Sequence, residues 1–126
     1  MNSFEELEAW KTARQLRKMV SEMIKQFPKN EEYKLKDQII RSSRSVGNNI
    51  SEGFGRYFYK ENVRFCTYAR GSLTETLDHI IIAFDESYID QKTYEDFRIL
   101  YEQNLKILNG YIAYLRKAGK IPEDFE

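Results

Sequence analysis

The sequence predicts an all-α protein built as an antiparallel up-down-up-down four-helix bundle. Apolar residues recur at steps of three and four through four long segments. No stretch alternates apolar and polar residues as a half-buried strand would. Helix-breaking residues gather at three short breaks between the segments, the spacing of an up-down bundle. With 126 residues there is room for one buried core. The bundle domain is expected over residues 1–119, with a short C-terminal tail over 120–126.

Ser3 and Glu6 have the spacing of a capping box, and Glu5, Glu6 and Glu8 suit the positive end of a helix dipole. Leu7, Trp10, Ala13, Leu16, Val20, Met23 and Phe27 then predict about six helical turns ending before Pro28. The outer side carries Lys11, Arg14, Lys18 and Lys25, interrupted by Glu22. This basic line is a candidate contact for phosphate, and an ordinary solvated face looks the same.

Asn30 is placed to cap a second helix running from Glu31 or Glu32 to Gly53. It carries two stripes. Leu35, Ile39, Ser42, Val46, Ile50 and Gly53 form the apolar one. Gln38, Arg41, Ser45, Asn49, Glu52 and Arg56 form the other, about a quarter turn away. Short amides and hydroxyls tolerate burial only when their hydrogen bonds are met. The second stripe is therefore read as a satisfied polar seam against another helix or subunit, rather than a face left in water. Gly47 and the serines would let that neighbour approach closely.

Arg56 to Lys60 is a connection of rings and cations, able to stack on bases or to fold onto the bundle end. A third helix is expected from Lys60 to Glu86, its core side running Phe65, Ala69, Ser72, Leu73, Thr76, Ile80, Ala83 and Phe84. Glu75 on its flank is expected to meet a donor of the seam, Arg41 or Arg56. Asp90 should cap the fourth helix, whose core side is expected through Tyr94, Phe97, Tyr101, Leu108, Tyr111 and Leu115. Leu100, Ile107, Ile112 and Tyr114 flank that side, and so wide an apolar arc suggests burial on more than one face. Gly119 and Pro122 mark the stop.

Twenty basic residues balance twenty acidic ones, so no global charge points to nucleic acid or a membrane. The longest apolar run, Ile80 to Phe84, is too short to span a bilayer. The acidic N-terminus lacks a signal-peptide core, and one cysteine fits a reducing compartment, so a cytoplasmic protein is expected. His79 and Cys66 stand thirteen residues apart on one predicted helix, about 20 Å, too far for a nucleophile and its base. A di-iron bundle needs Glu-x-x-His on two helices, and Glu75 with His79 has the wrong spacing. No phosphate-binding glycine loop follows a strand. The chain is read as a non-enzyme with no catalytic residues, cofactor or metal.

Several motifs resemble one known family. They are Trp10 with Ala13, Phe27-Pro28, Tyr33 with Leu35, Gln38-Ile39, Arg41-Ser42, Ser45-Val46, Asn49 to Gly53, and Ala69 to Ser72 with Glu75. Together they resemble the bacterial four-helix-bundle proteins called 23S rRNA intervening-sequence proteins. The resemblance implies a homo-oligomer, typically a pentamer, and a relation to accessory proteins of reverse transcriptases in diversity-generating retroelements. Those have a strongly basic surface, and the zero net charge here departs from it. RNA or a ribonucleoprotein is the partner implied first. The alternative is a protein-interaction scaffold docking through Tyr57, Phe58 and Tyr59, with no nucleic-acid role. The acidic cluster Asp85, Glu86, Asp90, Glu95 and Asp96 offers a counterpart to a neighbour's basic line.

Overall fold

A computed structural model describes residues 3–119. The tail over 120–126, with the expected stop at Pro122, lies outside the described residues. Four α-helices make the fold, and no strand occurs among the described residues. They are α1 (Glu8–Met23), α2 (Leu35–Phe54), α3 (Tyr59–Asp85) and α4 (Gln91–Ala118). Packing runs around a square, α1 against α2 and α4, and α3 against α2 and α4, with α2 and α3 the most intimate pair.

The apolar stripes meet in a single core. Leu16, Ile39, Val46, Ile50, Leu73, Ile80, Phe97 and Leu108 are all essentially inaccessible. Each such side chain contributes roughly 1.5–3 kcal/mol by leaving water. On α4 the buried line is Phe97, Tyr101, Asn104, Leu108, Ile112 and Leu115. Tyr111, expected in the core, is only half-buried, and Ile112 takes its place. Steps of four, three, four, four and three hold the 3.6-residue pitch, whereas the expected line drifted off it. Asn104 is tolerated in the core because its amide donates to the Thr12 carbonyl at 3.0 Å and the Leu100 carbonyl at 3.2 Å.

Helix ends differ from expectation where the chain tightens into 3-10 turns. Ser3 caps a short 3-10 turn, Phe4–Glu6, by accepting from the Glu5 amide at 3.1 Å, so the capping box does not open α1. The last turn of the first helix becomes 3-10 over Ile24–Gln26, a common way of pairing terminal carbonyls. Asn30 sits inside another 3-10 turn, Lys29–Glu31, and α2 begins only at Leu35, with no side-chain cap. Asp90 does cap α4, accepting from the Thr93 amide at 2.8 Å.

The connection between α3 and α4 is a Schellman turn. The Tyr88 amide reaches the Ala83 carbonyl at 2.8 Å and the Ser87 amide reaches that of Phe84 at 3.0 Å. Ser87 accordingly lies at φ 62°, in the left-handed region. The Tyr88 ring packs on Phe27, and its hydroxyl donates to Glu31 at 2.7 Å, closing this turn over the α1–α2 connection.

Candidate functional site

The polar seam lies within the chain, between α2 and α3. Ser72 donates to the Ser45 hydroxyl at 2.8 Å, and Thr76 lies 2.8 Å from both the Ser42 hydroxyl and the Ser72 carbonyl. Ser42 donates back to the Ile39 carbonyl, and the Asn49 amide donates to Ser45 at 2.9 Å. Neutral bonds of this kind are each worth about 0.5–1.5 kcal/mol net, and their short side chains let α2 and α3 approach. Gly53 closes the seam against Asn62. Gln38, Arg41, Glu52 and Arg56 lie outside it, exposed. Gly47 is not a close-approach point, since a methyl group there would rest at an ordinary 3.5 Å from the Trp10 indole nitrogen.

Glu75 does not reach the seam. Arg41 pairs with Asp37 at 3.1 Å and Arg56 with Glu52 at 2.8 Å, each one helical turn away. Glu75 instead has His79 as its neighbour, with Oε2 3.6 Å from Nε2. Near partners on the same helix win because they require little extra ordering of long side chains. Both His79 nitrogens are buried with no hydrogen-bond partner among the described residues.

The predicted basic line divides in two. Lys11 pairs with Glu8 at 3.4 Å and Lys25 with Glu22 at 2.8 Å, so each carries a carboxylate beside it. Arg14 and Lys18 instead border the groove between α1 and α2, where they are joined by Arg17 and Arg44. Two adjoining hollows of about 350 and 130 Å³ share Arg17 and Ser43 and make this groove continuous. No acidic residue lines either hollow, and none of the four cations forms an ion pair among the described residues. Arg14 lies over the Trp10 ring, 5.9 Å from its centroid. Ser21 and Asn48 add neutral donors along it, while Ser43 and Ser51 donate to the Ile40 and Asn48 carbonyls and offer only acceptor oxygens.

Arg17 and Arg44 were not singled out in the sequence. Arg17 directly precedes Lys18, and that adjacency was a usable signal. Arg44 belongs to neither stripe of α2, and only the packing of α2 against α1 brings it to the groove.

At the far end of α2, Tyr57 and Phe58 stand exposed, with their rings edge-on at 4.7 Å. They border an open cavity of about 450 Å³ shared with Tyr111 and Tyr114 of α4. Elsewhere the chemistry is quiet. Cys66 is buried, its thiol pushed up to about 12 by loss of solvent, so it is not a nucleophile at neutral pH. Among the described residues no group of His, Cys, Asp and Glu is arranged to hold a metal ion. No described helix is long and apolar enough to cross a membrane.

A four-helix bundle with an internal hydroxyl seam, and with a basic groove that no described acid lines, defines the class, a helical-bundle protein. The chain belongs to the 23S rRNA-intervening sequence protein family, whose sequence model matches residues 5–110. Among solved structures it is similar to a protein of unknown function from the S23 ribosomal protein family of Bacteroides thetaiotaomicron. The two superpose with a TM-score of 0.76 at 20% identity, over 82% of this chain and 97% of the other. At that identity the likeness speaks for the fold alone. No curated protein matches the chain.

Proposed function

We propose that this protein is a non-enzymatic, cytoplasmic, homo-oligomeric scaffold that binds RNA or a ribonucleoprotein through the α1–α2 groove. The observation that carries this reading is the groove itself, where Arg14, Arg17, Lys18 and Arg44 line the walls with no carboxylate among the described residues. Phosphate recognition draws on such unpaired cations, and it does not need a net positive chain. The family name adds an association with large-subunit rRNA. Any kinship with reverse-transcriptase accessory proteins would rest on the same groove, since the overall charge is zero.

An antiparallel bundle and a pentamer belong to the same proposal. Facing pairs Ser42–Thr76, Ser45–Ser72 and Gly53–Asn62 run in opposite order along α2 and α3, which supports the first. Gly71 and Gly110, mid-helix with nothing within 4 Å, support a close neighbour for the second, because a solvated helix gains from alanine there. Of the acidic cluster at the α3–α4 turn, Asp85 and Glu86 would be available to that neighbour, since Asp90 caps α4, Asp96 pairs with Lys92 and Glu95 accepts from Gln91. Light scattering that returns a monomer at micromolar concentration would remove the pentamer.

The deciding experiment is anisotropy of a labelled structured RNA, titrated at low and near-physiological salt. Replacing Arg14, Arg17, Lys18 and Arg44 by Gln should weaken binding strongly and flatten the salt dependence of what remains by roughly 3 in log–log slope. Replacing Lys11 and Lys25, already paired, should change little. The second reading, a protein-docking scaffold, is favoured by Tyr57 and Phe58, which are 78% and 47% exposed. It prevails if RNA is not bound even at low salt.

A further inference from the structure

We propose that the aromatic cup at the end of α2 holds one unpaired nucleobase, making the groove and cup together a site for single-stranded RNA. The inference rests on the RNA reading above and adds to it a second contact surface and a preference for unpaired strands.

The cup stands on the same stripe of α2 as the groove. Ser43, Gly47 and Ser51 border the groove, and Phe54, the next residue on that stripe, borders the cup. From Arg44 to Phe54 is ten residues of helix, about 15 Å, the length of roughly four stacked nucleotides. A strand whose phosphates follow Arg44, Arg17 and Arg14 is thereby led to the rings.

The cup's chemistry suits a base. Tyr57, Phe58 and Tyr59 line one side, and Tyr111 and Tyr114 line the other, with about 450 Å³ between them. Tyr57 and Tyr114 are 78% and 61% exposed; Tyr57 stands edge-on to Phe58 at 4.7 Å and Tyr114 stacks on Tyr111 at 6.4 Å, so much of each ring remains open to a base. Aromatic faces of this kind stack bases without regard to sequence. The Tyr111 hydroxyl accepts from the buried Asn62 amide at 3.2 Å, which leaves its own proton for an acceptor on a base edge. Among the described residues no carboxylate lines the cup, whereas Arg56 does. Arg56 spends one nitrogen on Glu52 and retains further donors for a phosphate at the rim. The lining thus favours a planar anion such as a nucleotide over a cation.

A nucleotide can come from an RNA strand or from free solution, so the test has an arm for each. Anisotropy would follow labelled single-stranded oligoadenylate and the matching duplex, with AMP as competitor. The strand should bind more tightly than the duplex. Tyr57→Ala and Tyr114→Ala should each weaken it roughly 5- to 150-fold, while the corresponding Phe variants keep wild-type affinity. Both rings are exposed, so thermal melting should confirm that the fold is intact.

Displacement by AMP that disappears in the Ala variants would support the same pocket for a free nucleotide. Ring-dependent AMP binding without ring-dependent strand binding would overturn the RNA assignment of the cup. Strand binding that ignores both Ala variants but is lost in the groove variant would overturn the cup and leave the RNA reading standing. No strand or structured RNA bound at low salt would overturn both. A fall in assembly mass in either Ala variant would also overturn it, because the rings would then be packing another copy of the chain.

Discussion

A methyl group placed on Gly53 would stand 2.6 Å from the Asn62 Oδ1 and 3.1 Å from the Asn62 carbonyl. The end of α2 is thus pressed against the start of α3 at a point where only glycine fits. Asn62 is held from the other side, donating to the Tyr111 hydroxyl and accepting from the Cys66 thiol at 3.5 Å. It has little freedom to move aside. Gly53→Ala should therefore cost about 1–3 kcal/mol, read as a lower denaturant midpoint, despite the better helix propensity of alanine. Gly47→Ala, with room for its methyl group, should be neutral or gain up to about 1 kcal/mol. Equal melting of the two variants would refute the close contact.

The hydroxyl seam predicts coupling between α2 and α3. Ser42→Ala and Thr76→Val each remove one side of a buried 2.8 Å bond. Each should destabilise by about 1 kcal/mol, and the double variant by less than their sum. A double-mutant cycle measures the difference, expected to be at least about 0.5 kcal/mol. Strict additivity would mean that the hydroxyls touch without contributing as a pair.

His79 carries two buried nitrogens with no hydrogen-bond partner among the described residues, the Glu75 carboxylate standing 3.6 Å off. An apolar side chain of similar reach removes that penalty, so His79→Leu should hold or raise the melting temperature. A lowered melting temperature accompanied by a smaller assembly mass would instead place a neighbouring copy's donor or acceptor at this ring.

Ser87 occupies the left-handed position of a Schellman turn, which glycine enters without the clash a Cβ makes. Ser87→Gly should stabilise by about 1 kcal/mol. Thermal denaturation decides the point, and a destabilised variant would show that the serine has compensating interactions.

Asp90 gives the pH-dependent prediction. Hydrogen bonds from the Thr93 side chain and backbone hold its carboxyl below the usual carboxylate range. A depressed acid adds stability above its unfolded value and loses it as the pH falls through the folded one. Asp90→Ala should accordingly melt lower than wild type at neutral pH. The gap should narrow as the pH drops below about 4 and close when wild-type Asp90 is protonated. A gap that persists at about pH 2 would assign the cap's value to something other than its charge.

Helix number, the core stripes of the first three helices and the cap at Asp90 were legible in the chain, because they follow from periodicity and from local backbone bonding. Leu16, Ile39, Ile50, Leu73 and Phe97 are buried as their spacing required. Helix starts were less legible. Asn30 has the right chemistry for a cap, yet the chain there winds into a 3-10 turn and α2 waits until Leu35. A propensity states what a residue can do, while the path of the connection decides which residue stands at the helix end.

Three-dimensional packing decided everything about partners. Ser45 and Ser72 belong together because two stripes of small residues let α2 and α3 approach, and the sequence showed the stripes without their pairing. Glu75 was assigned an arginine across the interface, but Arg41 and Arg56 had carboxylates one turn away on their own helix. The basic line looked uniform along α1, yet Lys11 and Lys25 sit beside glutamates, while Arg14 and Lys18 share an acid-free groove with Arg44. Periodicity fixes which side of a helix faces inward, since that depends on each residue's angle about its own axis. Which charges meet depends on the neighbouring helix and its register, and those are set only when the four helices pack.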